Sequence, residues 1–286
     1  MTRLTLPAPA KLNLFLHITG RRPDGYHLLQ TVFQFLQEAD TLHFSHRDDD
    51  VITLTPGIPG VPAESNLVVR AARLLQAHTG CRAGADITLE KRLPMGGGIG
   101  GGSSDAATTL LGLNRLWGLK LSLDALAALG LQLGADVPVF VRGHAAWAEG
   151  VGECLTLVDI PEPWYLVLTP QAHISTADVF RHPQLTRDTP AITVAAFLGG
   201  GLARSVRNDC ENIVRQLSPD VDAALNWLAR HGTARMTGTG ACCFIACPDR
   251  ATAEHLLATS PHTGFVSKGC NRSPAHVALA ALKQES

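Results

Sequence analysis

The chain has 286 residues, with 24 Lys and Arg against 25 Asp and Glu and a net charge of −1, a length that suits one large or two modest domains. With 45% apolar and 17% charged residues it can bury a core, which excludes disorder. It has no cationic excess to neutralise phosphates, which excludes a generally basic nucleic-acid binder. No apolar run reaches the roughly 20 residues of a membrane-spanning helix. Pro7, Pro9, Lys11 and Asn13 interrupt the stretch where a secretion signal would carry its apolar segment, so the expected location is cytoplasmic. Seven cysteines include no CxxC pair, and twelve histidines form no HExxH. That pattern suggests neither a disulfide framework nor a zinc site, and the thiols read as reduced and mostly buried.

Residues 10–18 alternate. Ala10, Leu12, Leu14, Leu16 and Ile18 fall on one face, and Lys11, Asn13, Phe15 and His17 on the other. This predicts a half-buried strand with its apolar face inward and with Lys11 and Asn13 projecting together, about 7 Å apart. Pro23-Asp24-Gly25 predicts a turn, followed by a strand over 28–36. Residues 41–45 and 51–55 read as a hairpin around the acidic turn Asp48–Asp50. Ser65-Asn66 caps a helix running through Ala77 and stopped by Gly80. A strand over 85–93 leads into a glycine-dense loop at 96–102, then helices over 103–116 and 123–133. Residues 137–141 and 145–149 read as extended. Pro161–Pro163 marks a domain boundary, dividing 1–160 from 161–286. Beyond it come a strand at 164–168, helices at 209–217 and 219–230, and strands flanking a turn at 238–240. A helix at 249–258 and a strand at 264–268 complete the list, and the run Gly199-Gly200-Gly201 reads as a loop. Helices and strands interleave in both halves, which predicts an α+β protein of two domains.

Six glycines crowd residues 96–102. They give up side-chain packing at a large backbone-entropy cost, and the return is close approach of backbone N–H groups to a ligand. Ser103 then opens a helix whose N-terminus favours an anion; strand, glycine loop and helix N-terminus together form a phosphate-holding geometry. No Lys follows the last glycine, so this is not a Walker A loop. The GxGxxG at Gly96, Gly98 and Gly101 is a weak dinucleotide signal, because a second helix follows where that fold needs a strand. A plain surface loop is the bland reading. Asp136, entering the apolar run 137–141, is either an exposed turn residue or a carboxylate that accepts a proton from a substrate hydroxyl. In the second case it wants a cation beside it, and Lys11 is the candidate, although taken alone Lys11 reads as a solvated strand residue. Residues 236–241, Met-Thr-Gly-Thr-Gly-Ala, form either an ordinary hairpin turn or a second backbone surface over the ligand.

Taken together, several segments resemble the GHMP kinases, along essentially the whole chain. They are Pro-Ala-Lys-Leu-Asn-Leu-Phe-Leu (9–16), Arg-Pro-Asp-Gly-Tyr-His (22–27), Gly-Ile-Gly-Gly-Gly-Ser-Ser-Asp-Ala-Ala (98–107), Leu-Gly-Ala-Asp-Val-Pro (133–138) and Thr-Gly-Thr-Gly-Ala-Cys (237–242). The generic family loop is shorter. The long form here is similar to the branch whose acceptor is diphosphocytidyl methylerythritol.

The resemblance implies a two-domain fold, with an N-terminal ribosomal S5 domain 2-like ATP-binding domain and a ferredoxin-like C-terminal domain. It implies transfer of phosphate from ATP to the 2-hydroxyl of that acceptor, giving the 2-phosphate and ADP, in the non-mevalonate route to isoprenoid precursors. Asp136 is implied as catalytic base and Lys11 as its charge partner, with Asn13 and Thr176 contacting substrate. Tyr26 and Phe180 would sandwich the cytosine and His27 would read its edge. Asn66, Lys91 and Met95 would lie near adenine. Gly98, Ile99, Gly100, Gly101, Gly102, Ser103 and Ser104 would hold the triphosphate, and Gly96, Gly97, Thr239 and Gly240 would also contact ATP. Mg²⁺ is expected with the nucleotide, with Ser104 as a candidate ligand. The partners implied are small molecules, without nucleic acid or membrane, for a monomer or homodimer. Three other readings remain open: a GHMP kinase acting on mevalonate, homoserine or a sugar; a silent nucleotide-binding protein; and an NAD-binding protein.

Overall fold

Residues 2–57, 60–200 and 206–284 are described by the computed structural model of the chain. In chain order the first elements are β1 (Arg3–Arg21), β2 (His27–Arg47), β3 (Ile52–Thr55), α1 (Leu67–Thr79), β4 (Gly84–Glu90), α2 (Gly101–Leu116), α3 (Leu123–Leu131), α4 (Val137–Arg142), β5 (Ala146–Glu149) and β6 (Cys154–Leu157). There follow β7 (Trp164–Leu168), α5 (Thr176–Arg181), α6 (Val194–Leu198), α7 (Glu211–Leu217), α8 (Pro219–Leu228), β8 (Arg235–Met236), β9 (Cys243–Cys247), α9 (Arg250–Thr259), β10 (Gly264–Cys270) and α10 (Pro274–Gln284). The α+β class read from the sequence is the class of the structure.

The 21-residue β2 organises the sheet. It pairs antiparallel with β1 from Arg3↔Ser45 to Arg21↔His27 and, along other parts of its length, with β4, β5 and β10. From β10 the sheet continues through β7 and β9 to β8. One cluster of buried side chains lies between α1–α4 and β1, β2 and β4, centred on Phe35, Phe44, Leu75 and Leu110. A second packs α5, α7, α8 and α9 onto β7–β9, around Leu166, Val214 and Leu225. A third joins the two through Leu12, Leu36, Ile99, Val167 and Phe244.

Several expectations are corrected. The strand at residues 10–18 is buried on both faces, since Lys11, Asn13, Phe15 and His17 are each at most 5% exposed. Alternation cannot see that later chain segments cover the polar face. Residues 28–36 and 41–45 belong to one strand. Residues 51–55 do not form a hairpin with 41–45, because β4 inserts between β2 and β3 and β3 runs parallel to it. Residues 137–141 are helical in α4, with Pro138 in the first turn and Gly143 (φ 69°) closing it in the left-handed region. A short apolar run carries no period that separates strand from helix. Helix α2 begins at Gly101, before Ser103, with Gly100 as its cap. Helices α5, α6 and α10 and strand β6 are elements that the sequence pattern does not predict. Gly199 closes α6, while Gly201 lies outside the described residues. Helix α1 starts where predicted. Asn66 accepts the N–H of Val68 at 2.9 Å, a cap contributing about 1 kcal/mol, and Gly80 ends the helix at φ 69°. Among the described residues no helix is long and apolar enough to cross a membrane.

Candidate active site

The strand β1 slips register against β2 between Pro9 and Lys11 and again between Asn13 and Leu16. Such bulges re-aim side chains next to functional sites, and here they bracket Lys11 and Asn13. The Lys11 Nζ donates to Asn13 Oδ1 at 2.6 Å and to the Gly98 carbonyl at 3.0 Å, and it pairs with Asp136 Oδ2 at 3.1 Å. The Lys11 side chain is 3% exposed and that of Asp136 35%. A buried ammonium thus carries one carboxylate that still reaches solvent, at the mouth of the glycine loop. Phe33 lies beneath the ammonium, 5.3 Å from it to the ring centroid. Asn13 Nδ2 donates to Thr31 Oγ1 at 2.9 Å, so the side-chain polar atoms of Lys11 and Asn13 find partners within the protein.

The glycine loop is clasped from both sides. The Lys11 N–H donates to the Ile99 carbonyl at 2.9 Å and the Cys242 N–H to the Gly97 carbonyl at 3.0 Å. The Thr237 hydroxyl donates to the Gly98 carbonyl at 3.2 Å and accepts the Asn13 N–H at 2.9 Å. Asn208 Nδ2 donates to the carbonyls of Met236 and Gly238, fixing the turn that presses on the loop. Gly98 has φ +73°, and a Cβ there would stand 2.2 Å from the Thr237 carbonyl oxygen; at Gly100 (φ +74°) it would stand 2.8 Å from Phe140. Left-handed residues at 96, 98 and 100 suit the nests that gather N–H groups around anions. The 16-residue α2 starts directly after them and adds its N-terminal N–H groups and dipole. Cys242 touches this loop, but burial pushes its thiol up to about 12, so it stays protonated.

Below the loop, Lys91 Nζ bridges Asp40 Oδ2 at 2.5 Å and Asp105 Oδ2 at 2.8 Å. Asp40 Oδ1 also accepts the N–H groups of Arg92 and Leu93, tying the entry of the loop to β2. Asp105 Oδ1 has no partner, and burial, partly offset by Lys91, pushes this carboxyl from 3.8 up to about 7. A carboxyl whose folded value exceeds its unfolded one holds its proton longer in the native state, so it subtracts stability as pH rises through that window. Asp105→Asn is therefore expected to gain thermal stability relative to the parent between pH 5 and pH 8. Melting temperatures at the two pH values check this, and a parallel pH dependence in both proteins would contradict it.

Lys11, Asn13, Lys91, Asp105, Asp136 and the glycine loop line one cleft of about 1100 Å³. Of the residues singled out in the sequence, Lys11, Asn13, Asp136, Tyr26, His27, Thr176, Phe180, Asn66, Lys91, Met95, residues 96–103, Thr239 and Gly240 all border it. Ser104 does not: it is fully buried and its Oγ is unpartnered within the protein, whereas Ser103 stands on the wall. Tyr26 (64%) and Met95 (62%) are largely exposed. Phe180 stacks on His27 with ring centroids 5.0 Å apart and planes 21° apart, and Thr176 and Thr239 join hydroxyls at 2.8 Å.

Asp40, Asp105, Arg187 and Asn208 also hold the site together, without a role expected from the sequence. Asp105 directly follows the serines of the glycine motif, which was a usable signal. The other three act on partners far along the chain and carry no local pattern. Among the described residues no group of three His, Cys, Asp or Glu side chains could hold a metal ion.

Comparison with known proteins agrees with this geometry. Residues 66–144 match the GHMP kinases N terminal domain and residues 194–259 the GHMP kinases C terminal domain. The chain is 59% identical over 283 residues to the 4-diphosphocytidyl-2-C-methyl-D-erythritol kinase of Chromohalobacter salexigens, covering 98% of this chain and 95% of that protein. It is 60% identical over 282 residues to the kinase of the same name from Pseudomonas syringae pv. syringae, covering 98% and 99%. A crystal structure of 4-(cytidine 5'-diphospho)-2C-methyl-D-erythritol kinase superposes with a TM-score of 0.79 at 34% identity, covering 93% of this chain and 99% of that one. A mevalonate kinase at 14% identity and TM-score 0.69 shares the fold. The chain therefore belongs to the GHMP kinase family, small-molecule phosphotransferases that use ATP, and groups there with the 4-diphosphocytidyl-2-C-methyl-D-erythritol kinases.

Proposed function

We propose that the chain transfers the γ-phosphoryl group of ATP to the 2-hydroxyl of 4-diphosphocytidyl-2-C-methyl-D-erythritol, releasing ADP and the 2-phosphate, within the methylerythritol phosphate route. The observation that carries this reading is the Lys11–Asp136 ion pair at 3.1 Å, set where the glycine loop and the 237–240 turn meet. Phosphoryl transfer asks for positioning and charge stabilisation more than covalent help from the protein. Asp136 orients the acceptor hydroxyl and takes its proton as the oxygen attacks phosphorus and the bond to the β-phosphate oxygen breaks. Lys11 and the loop N–H groups face the charge that gathers on the transferring group. Residues 96–103, Thr239 and Gly240 hold the phosphates, while Asn66, Lys91 and Met95 flank the adenine side. Asn13 and Thr176 contact the acceptor, and Tyr26, Phe180 and His27 receive its cytosine.

Mg²⁺ suits this site as a companion of the nucleotide. Such an ion takes oxygen ligands and usually keeps several waters and substrate phosphates among them, so few protein groups would be needed to hold it. The Ser103 hydroxyl, on the cleft wall, replaces Ser104 as the side-chain candidate. When bound, the ion would neutralise phosphate charge. The division into 1–160 and 161–286 is supported by the two family matches, which fall on either side of residue 160. The small, polar substrates suit a cytoplasmic enzyme, as a monomer or homodimer.

ATP consumption with Mg²⁺ tests the reading. Turnover is expected with the cytidyl acceptor and not with methylerythritol phosphate, mevalonate or homoserine. Turnover with mevalonate or homoserine instead would contradict the assignment of the cytosine pocket.

A further inference from the structure

Arg187 lies in the segment after α5, 160 residues from His27 in sequence, yet its guanidinium holds His27 and Phe180, two residues of the cleft wall. Its Nε donates to His27 Nε2 at 3.1 Å. One terminal nitrogen donates to the Leu185 carbonyl at 3.0 Å, and the other to the carbonyls of Phe180 and His182, both at 2.9 Å. An arginine has five N–H donors and no acceptor. The nitrogen it meets on a histidine must therefore be the bare one, and the ring proton must sit on the other nitrogen. Burial and the charges of Arg187 and Arg21 also hold His27 below its usual value, which keeps the ring neutral near pH 7. The same guanidinium fixes the backbone of Phe180, whose ring stacks on His27. One side chain thus sets both the edge that His27 shows and the ring it leans on.

We propose that Arg187 is a positioning residue for base selection: it locks His27 as the Nδ1–H tautomer, so that the ring offers the bound base a donor. A cytosine edge presents acceptors at N3 and O2. Uracil shares the O2 acceptor but presents an N–H at N3, so a ring donor set against N3 would meet a second donor there. Discrimination of this kind comes from leaving a polar group unpaired in the wrong complex. The inference rests on the cytidyl reading above and goes one step further, by naming the residue that makes the pocket selective.

The test uses the full chain labelled with ¹⁵N in its histidines, as native protein, Arg187→Met and Arg187→Lys, with the His27 signal assigned by its loss in His27→Gln. The ring tautomer is read from the nitrogen shifts and the affinities for CDP and UDP from calorimetry. In the native protein Nδ1 is expected to carry the proton, and CDP to bind about 10-fold or more tighter than UDP. In Arg187→Met the Nε2–H form is expected to appear, with the CDP preference falling towards unity. KM for the cytidyl acceptor should rise about 10-fold, with kcat and the ATP KM near native. Arg187→Lys keeps a donor and is expected to retain the Nδ1–H form and most of the preference, and it carries the test if the methionine variant does not fold. An unchanged tautomer, or an unchanged CDP-to-UDP ratio, in folded Arg187→Met overturns the proposal. Native protein that does not bind CDP overturns the cytidyl reading itself, and this inference with it.

Discussion

Asp136→Asn is expected to lower kcat by roughly 10²- to 10⁴-fold while ATP affinity stays close to the parent's. The split follows from the geometry. Asp136 stands at the N-terminal edge of α4, its side chain 35% exposed, and only one of its oxygens pairs with Lys11. The Asn retains an acceptor for Lys11, which also keeps the Gly98 carbonyl and Asn13 as acceptors. The buried ammonium is therefore not stranded, and the glycine loop keeps its anchor. What disappears is the group that receives the hydroxyl proton. Asp136→Ala removes the acceptor as well and leaves Lys11 with one partner fewer, so some loss of thermal stability is expected on top of the same loss of rate. Steady-state kcat, with the ATP Kd from calorimetry, separates the two. A parallel fall in kcat and ATP affinity for the Asn variant would mean that Asp136 holds the loop rather than the proton.

The second large effect is expected at Gly98→Ala. The added Cβ would stand 2.2 Å from the Thr237 carbonyl oxygen and 3.0 Å from that of Gly240, both main-chain atoms. Neither can swing aside as a side-chain tip could. The φ of +73° adds about 1–2 kcal/mol of backbone strain for any L residue. The loop and the 237–240 turn must part, at a cost of about 2–4 kcal/mol, and ATP affinity should fall by roughly 10-fold or more as the phosphate cradle opens. Gly96→Ala is the control. It shares a positive φ of +71°, but its Cβ would meet no protein atom within 4 Å, so its fold is expected to bear only the strain. Melting temperatures of the two variants, with the ATP affinity of Gly98→Ala, test this, and an equal loss of melting temperature at the two positions would deny the clasp any role.

Lys11, Asp136 and the glycine loop were legible in sequence because each sits in a short segment whose chemistry is local. A strand residue, a turn acid and a run without side chains can be read without knowing what they touch. The ion pair itself spans 125 positions, yet its members stood out once the loop had suggested phosphate. What the sequence hid was cover. Alternation along β1 implied a wet face for Lys11 and Asn13, but Thr237 and the loop itself close over that face. The Lys91–Asp40–Asp105 cluster was hidden for the same reason: Asp40 sits inside a strand where an acid normally marks an end, and only its partners explain a carboxylate that is 0% exposed. Helix α4 was misread because five apolar residues fit either period. The parallel partner of β3 was missed because a local turn signal says nothing about a strand arriving 30 residues later. Arg187 reaches the His27 ring, and Asn208 the carbonyls of Met236 and Gly238, through long-range hydrogen bonds, which leave no local pattern.

The most direct measurement is a crystal structure of the complex with the cytidyl acceptor and a non-hydrolysable ATP analogue. The acceptor's 2-hydroxyl should lie about 2.6–3.2 Å from the Asp136 carboxylate, in line with the γ-phosphorus, with the triphosphate on residues 96–103. A 2-hydroxyl placed away from Asp136, or a triphosphate lying off the glycine loop, would contradict the account.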